Sequence, residues 1–363
     1  MLPSHPSSSC PDCSSSTMND LSRRGFLKTA AIGAASAAAA SAGLITVGSF
    51  PKIASAAPAA ASIDAGQTLA GALYESLSEG QRKLICFPFD HPLRLKVDNN
   101  WHIVNSPISD VLNRNQRQMV RDLFMDLHSE EYAGRVLHQV DDDNKEDGKG
   151  FDSCAIALFG QPGQKFEFVF TGRHVTRRCD GNSVEGEAFG GPIFYGHAAE
   201  GFNESANHRG NIYWFQALAA NEVFKALDGK QRKIALRGDA RPEQKTKTVA
   251  LRGSTQGIEG IPMTELSADQ KGLVRKVMSD LLAPFRKPDA DKCLKLIEDA
   301  GFDNLRMAFY NGKGMDIGND GVWDVWQIEG PSMVWYFRGA PHVHTWVHVR
   351  DPKAPADVAT APA

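Results

Sequence analysis

Two histidines two residues apart, His342 and His344 in the stretch PHVHTWVHVRDP, carry the first chemical signal in the chain. On a β-strand, residues i and i+2 project to the same face with Cα atoms about 6.6–7 Å apart. Two imidazoles at that spacing can tilt onto one ion, because a zinc–nitrogen bond is only about 2.0–2.1 Å long. His348 lies six residues beyond His342, about 20 Å along the same strand, and falls outside a shared coordination sphere. A catalytic centre needs at least one more protein ligand and an open position. His174, at the end of KFEFVFTGRHVT, is the expected third ligand, with Glu185, Glu187, His197 and His208 as second choices. The expected cofactor is a divalent transition metal such as zinc. The competing reading is a buried, hydrogen-bonded histidine pair with a structural role.

The other dense stretch is TGRHVTRRCDGNSVEGEAFGG, Thr171 to Gly191. Arg173 and Arg177 are candidates for gripping an anionic small molecule through guanidinium forks. Glu185 and Glu187 are candidate catalytic carboxylates for proton transfer. The alternative is a solvated, salt-bridged turn. The acidic run DDDNKEDGKG, Asp141 to Gly150, lacks the regular ligand spacing of a calcium loop and reads as a solvated connection. No nucleophile elbow, phosphate-cradling glycine loop or dinucleotide fingerprint occurs. Trp323, Trp326 and Trp335 are expected in a core or a pocket wall.

A short phrase recurs among the elements that must position these residues: LSEGQR at 77–82, LNRNQR at 112–117, LDGKQR at 227–232 and LSADQK at 266–271. Each sets a capping residue three positions before Gln, the spacing of a capping box, so each marks a helix start. Two of the phrases extend into longer matches. Val120 pairs with Val274, Arg121 with Arg275 and Asp126 with Asp280, followed by strands opened by Phe151-Asp152 and Phe302-Asp303. GGPIFYGHA from Gly190 then aligns with GAPHVHTWV from Gly339, which sets Ile193 and Tyr195 where the second half has His342 and His344. We expect two pseudo-repeats, at about 107–200 and 261–350. Period-two strands at 155–159, 166–170, 322–328, 333–337 and 343–349, and helical spacing through 111–127 and 211–227, predict an α+β fold. It would be built of duplicated helix-helix-strand units on a mainly antiparallel sheet, with two pseudo-symmetric sheets meeting as the alternative.

The segment from Met18 contains Ser22-Arg23-Arg24-Gly25-Phe26-Leu27-Lys28, a weakly apolar run from Ala30 to Phe50, and Ala54-Ser55-Ala56. It reads as a twin-arginine signal cleaved after Ala56, with Met18 a candidate true start. Cys10 and Cys13 lie in the part discarded on export. The expected partner during export is the twin-arginine translocation machinery, and the expected destination is the periplasm or the medium, without stable membrane insertion. Residues 57–352 form one expected domain, and 353–363 a flexible tail. Removing residues 1–56 leaves 36 basic against 41 acidic side chains, a formal charge of −5 that offers no electrostatic case for nucleic acid. Cys86, Cys154, Cys179 and Cys293 are expected to be free thiols.

The ordered set LSEGQRKLICFPFDHPLR, LNRNQRQMVRDLF, CAIALFGQPG, FTGRHVT, LDGKQRKIAL, IEGPSMVWYF and HVHTWVHVRDP resembles the bacterial family catalogued as domain of unknown function 3500, over roughly Ile63 to Pro352. Its members tend to carry Gly-His-His where this chain has Gly172-Arg173-His174. The resemblance implies a shared architecture and leaves the reaction open. The residues favour an exported, metal-assisted hydrolase-like enzyme; the alternative is a non-catalytic periplasmic or envelope binding protein.

Overall fold

The computed structural model describes residues 65–145, 148–197, 212–312, 324–339 and 342–355. The segment expected to be an export signal, His208 and Trp323 lie outside the described residues.

All four recurring phrases start helices, and by the same device. Ser78, Asn113, Asp228 and Ser267 each accept from the backbone N–H three residues on, while the Gln at that position returns its side-chain oxygen to the cap N–H. The helices are α1 (Ala65–Ser76), α2 (Glu79–Ile85), α3 (Ile108–Val111), α4 (Arg114–Asp126), α5 (Glu130–Asp143), α6 (Trp214–Ala226), α7 (Gly229–Ala235), α8 (Ala268–Leu282) and α9 (Lys287–Asp299). The capping glutamines also join helix starts in pairs. Gln81 Nε2 donates to Gln116 Oε1 at 2.7 Å, and Gln116 Nε2 to the Ser76 carbonyl at 2.8 Å. Gln231 Nε2 donates likewise to Gln270 Oε1 at 3.0 Å, and Gln270 Nε2 to the Ala226 carbonyl at 2.7 Å.

The strands are β1 (Cys86–Phe87), β2 (Ala155–Gly160), β3 (Phe166–Gly172), β4 (Val175–Cys179), β5 (Ile193–His197), β6 (Leu236–Arg237), β7 (Ile261–Pro262), β8 (Arg306–Tyr310), β9 (Val325–Gly330), β10 (Met333–Arg338) and β11 (Val343–Val349). They form one continuous sheet in the order β1-β2-β3-β4-β5-β11-β10-β9-β8-β6, with β7 also on β8. One sheet thus replaces the two that the sequence left open. Only the β1–β2 and β6–β8 pairs are parallel, so the fold is α+β with a mostly antiparallel mixed sheet. The series helix, helix, short strand, two longer helices and a run of strands is traversed twice, and the two traverses meet at the antiparallel β5–β11 pair.

Period-two alternation sends one set of side chains to the helices, where Phe168, Phe170, Trp335, Phe337 and Val347 pack with Phe124 and Met278. The opposite face is covered by two long connections, 88–107 and 238–260. Val97 and Val249 from these meet Phe194, Tyr336 and Trp346, and Ile103 meets Ala155, Ala157 and Val169. Residues 175–179, expected within a loop, are a buried central strand. Their two arginines do not form a solvated turn: Arg94, Glu167 and Arg178 make a buried charge cluster, with Nη1 of each arginine 2.8 and 2.6 Å from Glu167. Cys86, Cys154, Cys179 and Cys293 are free, and no helix among the described residues is long and apolar enough to cross a membrane.

Candidate metal centre

His342 and His344 enter through β11, whose register fixes where they point. His344 lies opposite Gly196 of β5 and Arg338 of β10, and its ring meets Phe194 on the face covered by the connections. Gly196 permits this pairing, since a Cβ there would stand 2.0 Å from the Val343 carbonyl oxygen. His174 arrives from the opposite half. It is the second residue of the two-residue turn between β3 and β4, with φ of 58°, a left-handed conformation that few non-glycine residues adopt. The turn is pinned on several sides. Asn144, capping the end of α5, donates from Nδ2 to the Arg173 carbonyl at 3.1 Å and accepts at Oδ1 from the Arg173 N–H at 2.8 Å. The His174 N–H donates to the Asn99 carbonyl at 2.8 Å, and the Gly196 N–H to the His174 carbonyl at 3.2 Å.

The three rings converge. His342 Nε2 stands 3.0 Å from His174 Nε2 and 2.8 Å from His344 Nε2, and one ligand atom from each ring lies within 4.8 Å of the others. None of the three is more than 2% exposed. A ring nitrogen has one in-plane site, holding either a proton or a lone pair, so the two contacts of His342 Nε2 cannot both be ordinary hydrogen bonds. Protonation is no remedy. Burial first, then His344, His174, Arg338 and Arg173, holds His342 well below the usual imidazole range. Burial and the same arginines act on His344 in the same direction.

The outer nitrogens are held by carboxylates. Asp143 Oδ2 is 2.8 Å from His174 Nδ1 and also accepts from Gln139 Nε2 at 2.7 Å. Burial alone would raise the Asp143 carboxyl, but the charge and hydrogen bond of His174, with His197 and Gln139, leave it below the usual carboxylate range. Glu243 Oε2 is 2.7 Å from His344 Nδ1, and Glu243 Oε1 is 2.8 Å from Arg338 Nε. Arg338 Nη2 also approaches His344 Nδ1, at 2.5 Å, and only one of these two neighbours can use that nitrogen's single site. Donation to Glu243 is the choice that turns the Nε2 lone pair inward. Imidazoles fixed through Nδ1–H by carboxylates, with Nε2 converging, are the donor set of histidine metal centres. Nitrogens bonded at right angles to one zinc-sized ion stand about 2.9 Å apart, and tetrahedral ones about 3.3 Å. The 2.8 and 3.0 Å separations from His342 Nε2 are close to the right-angle value, and His174 and His344 offer ligand atoms within 4.8 Å of each other.

Other expected residues fall elsewhere. Arg173 flanks the centre and contributes positive charge toward both His342 and His344. Arg177 is buried on β4, with Nε donating to His128 Nε2 at 3.1 Å and Nη1 to the Phe194 carbonyl at 2.7 Å. Glu187 is buried further along β11, 3.1 Å from His348 Nε2 and 3.0 Å from Arg350 Nε. Glu185 is exposed. His197 is buried opposite Val343 and bears on Asp143 electrostatically. Asp143 corrects the reading of 141–150 as a solvated connection: Asp141–Asp143 end α5, and Asp143 points inward. Sequence reasoning also missed Glu243. A signal for Asp143 did exist, because acidic residues in the last turn of a helix oppose its dipole and need another purpose.

The chain matches no curated protein and no solved structure. The family model described as protein of unknown function (DUF3500) matches residues 59–357, most of the chain, with every residue of the histidine cluster and its carboxylate supports inside the match. The chain belongs to the DUF3500 family.

Proposed function

We propose that His174, His342 and His344 bind one divalent transition metal such as zinc, and that the chain is an exported metalloprotein suited to metal-assisted hydrolysis. The carrying observation is the convergence of three buried Nε2 atoms, two of them on rings held from behind by Asp143 and Glu243. Three neutral imidazoles leave the charge of the ion undiminished, and such an ion brings the pKa of a bound water to about 7. The twin-arginine segment before residue 57 supports export. The twice-traversed element order and the matched glutamine pairs support an internal duplication.

The burial of all three rings favours a second reading, in which the ion is structural and ties the β3–β4 turn of the first half to β11 of the second. Elemental analysis of the purified protein tests the site common to both readings. One equivalent of metal is expected in the wild type and none in a His342→Ala, His344→Ala double variant; equal metal in both, or none in the wild type, overturns it. Hydrolysis of ester or phosphoester substrates that is lost with the metal, at a temperature where both forms stay folded, separates the catalytic from the structural reading.

A further inference from the structure

The two connections that cover the sheet leave between them a cleft of about 1050 Å³. It is walled by residues 93–105 on one side and 243–247 on the other, and its size matches clefts that take small molecules. Its charges are unevenly satisfied. Lys245 Nζ is 2.9 Å from Asp98 Oδ2, and Glu243 is engaged with Arg338 and His344, so both acids of the wall already have partners. Lys96 and Lys247, one from each wall, are exposed and make no ion pair among the described residues. The lining also includes the half-buried ring of Trp101, fixed by its Nε1 donating to Thr176 Oγ1 at 2.9 Å.

We infer that this cleft binds an organic anion, its carboxylate or phosphate drawn by Lys96 and Lys247 of the lining and its flat or apolar body against Trp101. Two ammonium groups with no ion-pair partner among the described residues favour negative charge, and a held indole supplies contact area at little conformational cost. Glu243 makes the cleft more than a surface feature: the residue that forms its wall also holds His344 in the cluster. Ligand binding stands independently of the metal; that the ligand is a substrate rests on the metal-centre reading.

The test is calorimetric titration of the full chain with 1-naphthyl phosphate, 1-naphthoate and neutral 1-naphthalenemethanol. We expect saturable one-to-one binding of at least one anion and binding at least ten-fold weaker for the alcohol. A Lys96→Ala, Lys247→Ala double variant should lose at least ten-fold in affinity for that anion, and Trp101→Ala should lose several-fold. The stronger anion identifies the head group. No saturable anion binding, equal affinity for the alcohol, or an unchanged Kd in the double lysine variant would overturn the inference. The His342→Ala, His344→Ala variant keeps the two readings apart: anion binding retained there without metal upholds the cleft whatever becomes of the metal centre, and anion binding lost with it at unchanged thermal stability refutes an independent cleft.

Discussion

Asp143→Ala probes how the centre is built, because Asp143 touches the cluster only through the far nitrogen of one ring. In the folded chain its Oδ2 holds His174 Nδ1 at 2.8 Å and Gln139 Nε2 at 2.7 Å. Removing the carboxylate frees the ring to rotate and to exchange tautomers, so Nε2 no longer presents a fixed lone pair. Loss of such a support costs about 10–100-fold in metal affinity, which is about 1.4–2.7 kcal/mol. The metal-free protein suffers separately, since each buried donor left without an acceptor costs about 1–3 kcal/mol. Affinity is read by competition with a chromophoric zinc chelator, and stability by urea titration of the metal-free form. Asp143→Asn keeps an oxygen acceptor and should recover most of the affinity. A folded Asp143→Ala protein with wild-type zinc affinity would refute the claim that this carboxylate orients a ligand.

Glu167→Gln leaves Arg94 and Arg178 buried without a counter-charge and should lower stability by about 3–5 kcal/mol, read from the urea midpoint. A loss under 1 kcal/mol would show that donation from Arg94 to the Phe89 carbonyl and from Arg178 to the Pro192 and Lys96 carbonyls suffices. Gly172→Ala puts a Cβ 2.5 Å from Cys154 Sγ and 2.9 Å from Asn144 Oδ1. It should destabilise by about 1–3 kcal/mol and weaken metal binding through the displaced clamp on Arg173; wild-type affinity and stability together would count against it. His128 is held neutral by burial and by the charge of Arg177, partly offset by its bond to the Phe124 carbonyl. The unfolded chain takes up a proton there below about pH 6.5 and the folded chain does not, so His128 contributes a fall of about 1.4 kcal/mol per pH unit below that value, and His342 and His344 in the metal-free protein add falls of the same sign. A flat profile between pH 7.5 and 5.5 would contradict the assignment.

What the sequence revealed was local. A capping residue three positions before Gln is complete within one turn, and all four such phrases start helices. Period two placed His342 and His344 on one face, the rise per residue set His348 apart, and the expected strand 343–349 is β11 residue for residue. His174 was singled out through its place in the repeated order of strands, and it sits in the β3–β4 turn and not on the strand where the sequence put it. What escaped depends on packing between distant segments. Glu243 reaches His344 across a covering connection 101 residues away, with no periodicity to announce it. Asp143 was hidden in an acidic run whose other members suggested solvent, and Arg177 and Arg178 looked like a loop because charge in a buried central strand runs against composition rules.

The central claim is that His174, His342 and His344 bind one ion through Nε2. X-ray absorption fine structure of the full chain loaded with one equivalent of zinc tests it most directly. The account predicts three imidazole nitrogens at about 2.0–2.1 Å, with the outer-shell scattering of histidine rings. That outer shell should be lost in the His342→Ala, His344→Ala variant. A first shell of oxygens alone, or imidazole scattering unchanged in the variant, would contradict it.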